Sequence, residues 1–338
     1  MFSNIYKNSA FKRAEHEAVR QTVGWYYFTH FLVEVKGADA AKFLDWVCAC
    51  PILSLAEGRA RYTTILRDNA LILDDVVVFH IEGDTFWLSS LFIKKILPWL
   101  TGHKEGYDVE ITDITAAWDM YAVQGPLSKD LIGAIAKESV EGQKFFAIAH
   151  NEIAGVPVKV ARGGFTGEAF GYEVYVPAAE TKAIRGAISA EAGKLGGLQV
   201  TEFQVMVWTL PTEKGFIHMI DVEGLNPIEA GLDKGIAWDR DFIGKEALEK
   251  TRAEGAKRKL LGFVADNPDA HIPSRMLGAA GTPVIFGGEE VGRVTKYTYG
   301  FTAGKNIGYA IVDAGKVKPG DVVSLNDNTA TLTVRVFV

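Results

Sequence analysis

RARYTTILRDNALILDDVVVFH, residues 59–80, contains two runs of strand-forming residues separated by a short polar segment. Arg61–Leu66 and Leu71–His80 are rich in β-branched, aliphatic and aromatic side chains. Arg67-Asp68-Asn69 lies between them and supplies turn residues. This pattern predicts a β-hairpin.

Two adjacent carboxylates, Asp74 and Asp75, lie in the apolar second run of this hairpin. Successive side chains of a strand point to opposite faces, so one carboxylate can be solvated while the other faces a cavity. A carboxylate in a cavity needs a hydrogen-bonding or cationic partner. The alternative is that both residues lie at a strand edge and accept hydrogen bonds from turn amides.

Strands and helices are interleaved on both sides of the hairpin. The hydrophobic periodicity predicts a helix at Glu15–Val23, a β-run at Trp25–Val35 and a helix at Asp39–Val47. After the hairpin it predicts a strand at Thr85–Ser90 and a helix at Leu91–Leu100. The first part of the chain is therefore predicted to be an α+β lobe.

The pattern of predicted secondary structure changes near residue 255. From residue 259 to 338 the strand-like runs are short, helix signals are absent, and turns such as Gly287-Gly288 and Pro319-Gly320 recur. This pattern predicts a small β-barrel or sandwich. We therefore expect residues 1–254 to form one lobe of two interleaved α+β subdomains, and residues 255–338 to form a C-terminal β-barrel domain.

A further carboxylate, Glu173, follows the glycine-rich segment Gly163-Gly164-Phe165-Thr166-Gly167. Glycines allow the backbone to approach a ligand closely, and a carboxylate can then bind two neighbouring N–H groups on the edge of a ring. Pterins present such an edge. A glycine-rich turn followed by a glutamate is a weak signal by itself, and the pattern alone favours the alternative of a solvated surface loop.

Charge and composition exclude several classes of function. The chain has 338 residues, a formal net charge of −6 and no Lys/Arg-rich run, so we expect no nucleic-acid partner. No stretch reaches the ~18 apolar residues of a membrane span, which predicts a soluble, cytoplasmic protein without a membrane partner. The seven histidines are scattered, and Cys48 and Cys50 are the two cysteines, so we expect no metal site.

Several short segments together resemble the folate-binding family of the glycine-cleavage T-protein. That family includes sarcosine- and dimethylglycine-oxidising folate domains and tetrahydrofolate-dependent demethylases. The matching segments follow the family's order along the chain: Glu15-His-Glu-Ala-Val-Arg20, Gly58-Arg-Ala-Arg-Tyr-Thr63, Leu73-Asp-Asp-Val76, Gln124-Gly-Pro126, Gly164-Phe-Thr-Gly-Glu168, Gly171-Tyr-Glu173, Glu213-Lys-Gly-Phe216, Asn226-Pro-Ile-Glu-Ala-Gly-Leu232 and Asp241-Phe-Ile-Gly-Lys-Glu-Ala-Leu248.

This resemblance implies a three-lobed cloverleaf with a folate in a central channel, and tetrahydrofolate as the cofactor. It implies that Asp75 is the catalytic acidic residue beside the reacting nitrogens of the folate. Tyr62, Val77, Phe165 and Glu173 are the implied further cofactor contacts, with Glu173 binding the pterin edge.

The segments that would meet the one-carbon donor depart from the T-protein pattern. Phe28-Thr-His-Phe-Leu-Val33 stands where that pattern has Ser-His-Met-Gly-Glu, and Pro211 stands where the family has an arginine. We therefore predict an altered, apolar substrate pocket. Its predicted lining residues are Trp25, Tyr26, Tyr27, Phe28, His30 and Phe31, with Trp25, Tyr27 and His30 as the substrate contacts. The alternative is that these aromatic residues are simply core.

The preferred hypothesis from the sequence is a tetrahydrofolate-dependent demethylase that takes a methyl group from a small O-, N- or S-methyl substrate. The first alternative is an aminomethyltransferase of glycine cleavage, whose partner would be a lipoyl carrier protein or another one-carbon donor protein. The second alternative is a folate-binding maintenance protein without catalytic turnover.

Overall fold

The computed structural model describes residues 7–28, 30–164, 166–201 and 208–338. These residues form a five-stranded sheet, a six-stranded sheet and a closed six-stranded barrel, with helices packed around them. The predicted α+β fold with a C-terminal barrel is confirmed. No helix in the described ranges is long and apolar enough to cross a membrane.

The secondary-structure elements are numbered in chain order. The strands are Gly24–Tyr27 (β1), Phe31–Lys36 (β2), Ala60–Leu66 (β3), Ile72–Glu82 (β4), Thr85–Ser90 (β5), Glu110–Asp113 (β6), Trp118–Gln124 (β7), Ala147–Ile153 (β8), Val156–Arg162 (β9), Gly171–Pro177 (β10), Leu198–Gln199 (β11), Arg258–Ala265 (β12), Pro283–Phe286 (β13), Glu289–Gly300 (β14), Lys305–Asp313 (β15), Val322–Leu325 (β16) and Asn328–Thr333 (β17). The helices are Ala10–Gln21 (α1), Ala40–Val47 (α2), Ile93–Gly102 (α3), Ser128–Ile135 (α4), Thr181–Lys194 (α5), Thr209–Glu213 (α6), Met219–Val222 (α7), Pro227–Ala230 (α8) and Lys245–Glu254 (α9). Short 3-10 helices occur at Thr115–Ala117, Ala178–Glu180 and Arg275–Leu277.

The five-stranded sheet has the order β3-β4-β5-β2-β6, and all its neighbouring strands are antiparallel. The predicted hairpin is its β3–β4 pair. Helices α2 and α3 cover one face of the sheet and bury apolar side chains such as Phe43 and Leu100 against Val78. The opposite face of β4 is left for the second sheet.

The six-stranded sheet has the order β11-β1-β7-β10-β9-β8. Helices α4 and α5 pack on its outer face, where Leu131 and Ile188 are fully buried. Its inner face meets the inner face of the five-stranded sheet in a shared core that includes Phe79, Met120 and Tyr175. The two sheets therefore pack face to face, and any cavity between them lies deep in the protein.

The β-run predicted over Trp25–Val35 is two strands in two different sheets. β1 pairs with β7 in the six-stranded sheet, whereas β2 pairs with β5 and β6 in the five-stranded sheet. Both strands have the same apolar composition because both are buried, so the periodicity does not reveal that the chain changes sheets between Tyr27 and Phe31.

The barrel consists of β12 to β17 and encloses its own apolar core. Helix α9 ends at Glu254 and β12 begins at Arg258. We keep the domain boundary near residue 255 as a proposal.

The barrel also fixes a segment of the first lobe, residues 211–222, hereafter the connecting segment. The Tyr309 hydroxyl donates hydrogen bonds to the carbonyl oxygens of Thr212 and Phe216, at 2.8 and 3.0 Å. The backbone N–H of Phe337 donates to the carbonyl oxygen of Glu213 at 2.8 Å. The barrel and the residues that follow its last strand, 334–338, therefore hold this segment against the two sheets.

Glu213 anchors the connecting segment from inside the protein. Its carboxylate lies 3.1 Å from the Arg20 guanidinium and 3.3 Å from His16 Nε2, and it accepts hydrogen bonds from the backbone N–H groups of Thr302 and Ala303. Burial acts to raise the pKa of Glu213, but the hydrogen bond from His16 and the charge of Arg20 outweigh it and lower the pKa to about 2. Glu213 is thus an ionised buried anchor between helix α1 and the barrel.

Candidate active site

A cavity of about 410 Å³ lies between the two sheets and is closed by the connecting segment. This volume is within the range of small-molecule sites. Its walls are mainly apolar and aromatic, with two carboxylates among them. The lining residues are Phe28, Ala60, Tyr62, Asp75, Val76, Val77, Phe79, Ser89, Ser90, Leu91, Phe145, Phe146, Ala147, Ala161, Arg162, Gly163, Gly164, Glu173, Pro211, Gly215, Phe216, Ile217, His218, Met219 and Leu232.

Asp75 reaches the cavity because of the two-residue alternation of strand β4. Asp75, Val77 and Phe79 lie on one face of the strand, and all three line the cavity. Tyr62 lies opposite Val77 in the β3–β4 register, so its hydroxyl reaches Asp75 diagonally and donates a hydrogen bond to Oδ2 at 2.9 Å. Burial raises the pKa of Asp75, and the hydrogen bond from Tyr62 opposes that shift.

Asp74 points to the opposite face and is fully buried there. Ser90 donates a hydrogen bond to its Oδ2 at 2.6 Å, and the backbone N–H of Asp75 donates to its Oδ1 at 3.0 Å. Burial, with the neighbouring charge of Asp75, raises the pKa of Asp74 to about 7. The edge-strand alternative is wrong, because β4 pairs with β3 on one side and β5 on the other.

Glu173 lies on the central strand β10 of the other sheet and is 5% exposed. The Tyr175 hydroxyl donates a hydrogen bond to its Oε2 at 2.9 Å. Its Oε1 accepts no hydrogen bond from the described part of the chain and lies beside Gly163, where a Cβ would come within 3.8 Å. Burial raises the pKa of Glu173 to about 7, although the Tyr175 hydroxyl acts to lower it.

The glycine-rich turn beside Glu173 is built around Gln124. Gln124 Nε2 donates to the carbonyl oxygen of Gly163 at 3.2 Å, and Thr166 Oγ1 donates to Gln124 Oε1 at 3.1 Å. A Cβ on Gly164 would lie 1.9 Å from Gln124 Oε1, so a larger residue here would displace the Gln124 amide from its hydrogen bonds. Phe165, predicted to contact the cofactor, lies outside the described residues, and its assignment stays a prediction.

Two known family domains together match nearly the whole chain. The model of the GCVT N-terminal domain matches residues 2–240, and that of the glycine cleavage T-protein C-terminal barrel domain matches residues 258–337. The chain belongs to this T-protein family. The family resemblance inferred from the sequence is confirmed.

Relatives within the family are similar over nearly all of the chain. A protein of Streptomyces avermitilis is 33% identical over 320 residues, which are 91% of this chain and 83% of the relative. A protein of Thermotoga petrophila is 30% identical over 94% of this chain and 85% of the relative. A protein of Bacillus pumilus is 31% identical over 96% and 88%, respectively. All three relatives are named aminomethyltransferase.

A solved structure confirms the fold of this T-protein family member. The glycine cleavage system aminomethyltransferase T from Bartonella henselae matches with a TM-score of 0.85 at 19% identity, over 97% of this chain and 89% of that protein. Family membership also gives the reaction class: the chain is a one-carbon transferase that uses tetrahydrofolate.

The residues that line the cavity suit a folate chemically. Its aromatic walls suit a flat ring system, and Glu173 holds an acceptor oxygen free at the glycine turn for N–H groups on the edge of such a ring. Tyr62, Asp75, Val77 and Glu173, which the sequence singles out as cofactor contacts, all line this one cavity. Their roles in binding the folate remain proposals.

The three residues predicted to bind substrate do not line the cavity. Trp25 packs in the outer core of the six-stranded sheet, 6.3 Å from Tyr121, and Tyr27 is 45% exposed and donates a hydrogen bond to Asp119. The physical reason is strand alternation, because Tyr26 and Phe28 occupy the inner face of β1 and its extension, whereas Trp25 and Tyr27 occupy the outer face.

His30, the third predicted substrate contact, is buried between Phe28 and Tyr175. Its Nδ1 lies 3.3 Å from the carbonyl oxygen of Phe28. Burial lowers the pKa of His30. Of the aromatic run, Phe28 lines the cavity, and the substrate role of Trp25, Tyr27 and His30 stays a prediction that the cavity does not support.

Several cavity residues give no signal in the sequence. Phe146 has φ +57°, a left-handed conformation that is strained for a bulky residue. Two backbone hydrogen bonds hold it there: its N–H donates to the Arg162 carbonyl at 2.9 Å, and its carbonyl accepts from the Ala60 N–H at 2.8 Å. Phe216 and His218 reach the cavity only because the barrel positions the connecting segment.

Proposed function

We propose that the chain is an aminomethyltransferase, which moves an aminomethyl group from a sulfur-bound donor to tetrahydrofolate. This is the first alternative of the sequence analysis rather than the demethylase preferred there. The proposal is supported by the relatives named aminomethyltransferase, which are at least 30% identical over most of both chains. The observation that carries it at the level of the site is one cavity containing both the Asp75–Tyr62 pair and Glu173.

In this proposal Glu173 binds the N–H edge of the pterin through the oxygen beside Gly163. Tyr175 fixes the other oxygen, so the carboxylate plane is set before the ligand arrives. Tyr62 and the backbone around Val77 contact the folate between the two carboxylates. Binding through preset groups lowers the cost of ordering them.

Asp75 acts on the charge that develops during transfer. Bound tetrahydrofolate supplies the nitrogen that accepts the one-carbon group. The Asp75 carboxylate, shielded from water and oriented by Tyr62, stabilises positive charge on the transferred group and accepts a proton where one must leave. A buried carboxylate is more effective here than a solvated one, because the local dielectric constant is low.

The proposal implies a lipoyl carrier protein as the partner that delivers the donor, and a cytoplasmic location. The aromatic side chains Phe145 and Phe216 line the cavity and are 49% and 39% exposed. They mark the side from which a donor on a flexible arm would enter.

Demethylation remains the second candidate, because two positions on the cavity wall depart from the T-protein pattern. Phe28 and Pro211 both line the cavity, and both lie in segments where the family pattern is altered. Phe28 is apolar, and Pro211 replaces the arginine of the family pattern. Both changes favour a small methylated substrate over a charged substrate bound to a carrier protein.

The decisive experiment supplies purified protein with tetrahydrofolate and either an aminomethyl-lipoyl carrier protein or a panel of methoxyaromatics, betaines and sulfonium compounds. Aminomethyl transfer releases ammonia and 5,10-methylenetetrahydrofolate in equal amounts. Production of 5-methyltetrahydrofolate from the second panel alone would overturn the proposal in favour of demethylation. Folate binding without product in either arm would favour the maintenance protein.

Asp75→Asn and Asp74→Asn form a matched pair for this assay, because the two residues are neighbours that face opposite sides of β4. We expect Asp75→Asn to lower kcat on the order of a hundredfold to a thousandfold, the usual cost of removing a group that stabilises transition-state charge. Asp74→Asn keeps a partner for Ser90 and should lower kcat by less than about tenfold. Equal losses would contradict the role assigned to Asp75.

A further inference from the structure

His218 lines the cavity at the start of helix α7, within the connecting segment. Its ring takes the position of a helix N-cap, where Ser, Thr, Asp or Asn is usual. Nδ1 accepts a hydrogen bond from the backbone N–H of Ile220 at 3.3 Å, and the His218 backbone N–H donates to Asp221 Oδ2 at 2.9 Å. The two contacts form a reciprocal capping box that fixes the ring.

The cap also determines where the imidazole carries its proton. Burial, with the charge of Lys296, lowers the pKa of His218, so the ring is neutral at physiological pH. A neutral imidazole has one donor and one acceptor nitrogen. Because Nδ1 accepts from Ile220, the proton lies on Nε2. The hydrogen bonds of His218 within residues 7–28, 30–164, 166–201 and 208–338 involve its backbone N–H and Nδ1, and none involves Nε2.

The barrel holds this arrangement through Asp221, which is fully buried. Lys296 Nζ of strand β14 lies 2.7 Å from Asp221 Oδ2, and Thr295 Oγ1 donates to Asp221 Oδ1 at 3.1 Å. Side chains of the barrel thus fix the residue that caps His218. Burying the Lys296–Asp221 ion pair costs desolvation free energy that an ordinary turn does not require. Such a pair is expected where the His218 ring must keep one orientation.

We propose that His218 donates a hydrogen bond from Nε2 to the leaving atom of the one-carbon donor. This inference rests on the proposed function, because it requires a donor whose carbon is bound to sulfur. Within the one cavity, Asp75 then stabilises the positive charge on the transferred group, and His218 stabilises the negative charge on the leaving sulfur.

The chemistry of the donor explains why a neutral N–H suffices. When the carbon–sulfur bond breaks, the amine nitrogen of the same group supplies an electron pair to the carbon, and the pair of the broken bond stays on sulfur. The thiolate then takes a proton from water, and His218 keeps its own. A thiolate accepts a hydrogen bond far better than a thioether does, so the interaction strengthens as the bond breaks and lowers the barrier.

Two variants separate the N–H donor from the cap. His218→Thr keeps an oxygen for the N-cap but places no N–H in the cavity. His218→Asn keeps the cap oxygen and restores an amide N–H. Circular dichroism and thermal unfolding check that both remain folded like the parent protein.

The kinetic test uses S-aminomethyl donors built on thiols of graded acidity. For an alkylthiol donor we expect His218→Thr to lower kcat on the order of tenfold to a hundredfold, with partial recovery in His218→Asn. The loss should shrink for acidic arylthiols, which leave without help. An equal loss for every thiol, or no loss, would overturn the role of His218. Failure of the parent protein with every donor would instead overturn the proposed function.

A second readout does not depend on turnover. Nitrogen-15 spectra of histidine-labelled protein, with the His218 signals assigned by difference from His218→Thr, report the tautomer directly. We expect Nε2 to be protonated and Nδ1 to be unprotonated between pH 7 and pH 8. A proton on Nδ1, or a charged ring in this range, would refute the inference independently of any donor.

Discussion

Glu173 provides the sharpest test of the site, because its pKa of about 7 makes folate binding depend on pH in an accessible range. The carboxylate is raised from its ordinary value of 4.5 by burial, so the free protein holds it protonated below pH 7. Ligand N–H groups bind the ionised carboxylate, which accepts on both oxygens, more tightly than the protonated form. Affinity should therefore rise as the pH increases through 7 and fall as the pH decreases.

The magnitude follows from the ionised fraction of Glu173. With a pKa of about 7, roughly nine-tenths of the carboxyl groups are ionised at pH 8 and roughly one-tenth at pH 6. The Kd of a folate should thus be roughly tenfold higher at pH 6 than at pH 8. Glu173→Gln should remove this dependence and raise the Kd at pH 8 on the order of tenfold to a hundredfold, because a charge-assisted pair is lost.

Quenching of tryptophan fluorescence by a non-reactive 5-substituted tetrahydrofolate, titrated at pH 6, 7 and 8, measures these constants. Asp74→Asn is the matched control, because burial also raises the pKa of Asp74 to about 7 but its side chain faces away from the cavity. A pH dependence that survives in Glu173→Gln and disappears in Asp74→Asn would refute the reasoning.

The same shift predicts a stability effect in the free protein. A carboxyl group whose pKa is raised by folding binds its proton more tightly in the native state, so its contribution to stability is lost as the pH rises from about 4.5 to about 7. For Glu173 this loss is up to about 3 kcal/mol. Glu173→Gln should consequently unfold at higher urea concentration than the parent at pH 8, and a lower midpoint would contradict the buried, uncompensated state of this carboxylate.

Two further predictions concern residues that support the site. Tyr175→Phe removes the hydroxyl that lowers the pKa of Glu173, so the midpoint of the pH dependence of folate binding should move above 7 by about one unit; an unchanged midpoint in the same fluorescence titration would show that Tyr175 only fills space. Lys296→Met leaves Asp221 as an uncompensated buried charge and should lower the free energy of unfolding by about 3–5 kcal/mol in urea titration. Adding Asp221→Asn should recover part of that loss, and equal stability of the single and double variants would count against the ion pair.

Much of the candidate site could be predicted from the sequence, because it depends on short-range patterns of residues along the chain. Strand alternation predicts that Asp74 and Asp75 face opposite sides of β4, and the structure confirms this. The glycine-rich segment before Glu173 predicts a close backbone approach, and in the structure the backbone at Gly164 lies directly against the Gln124 side chain. Turn residues likewise predict the β3–β4 hairpin and the C-terminal barrel.

The residues that contact the substrate were harder to predict from the sequence. The alternation of side chains along a strand defines two faces, but it does not show which face packs on a helix, meets solvent or lines a cavity. The sequence pattern predicts Trp25 and Tyr27 in a substrate pocket. In the structure their face of β1 packs under the helices or meets solvent, and Phe28 reaches the cavity. Nothing in the aromatic run identifies the inner face, since large aromatic side chains occupy both faces of β1.

The sequence by itself determined the family, the α+β lobe with its barrel, and the chemical character of Asp75 and Glu173, because these depend on short-range patterns along the chain. The tertiary structure alone decided that both carboxylates open into one cavity, that Phe146 adopts a strained conformation on its wall, and that His218 enters it. The physical reason is that these features arise from packing between distant elements: two sheets meet face to face, and the barrel, through Lys296 and Tyr309, fixes the segment that closes the space between them.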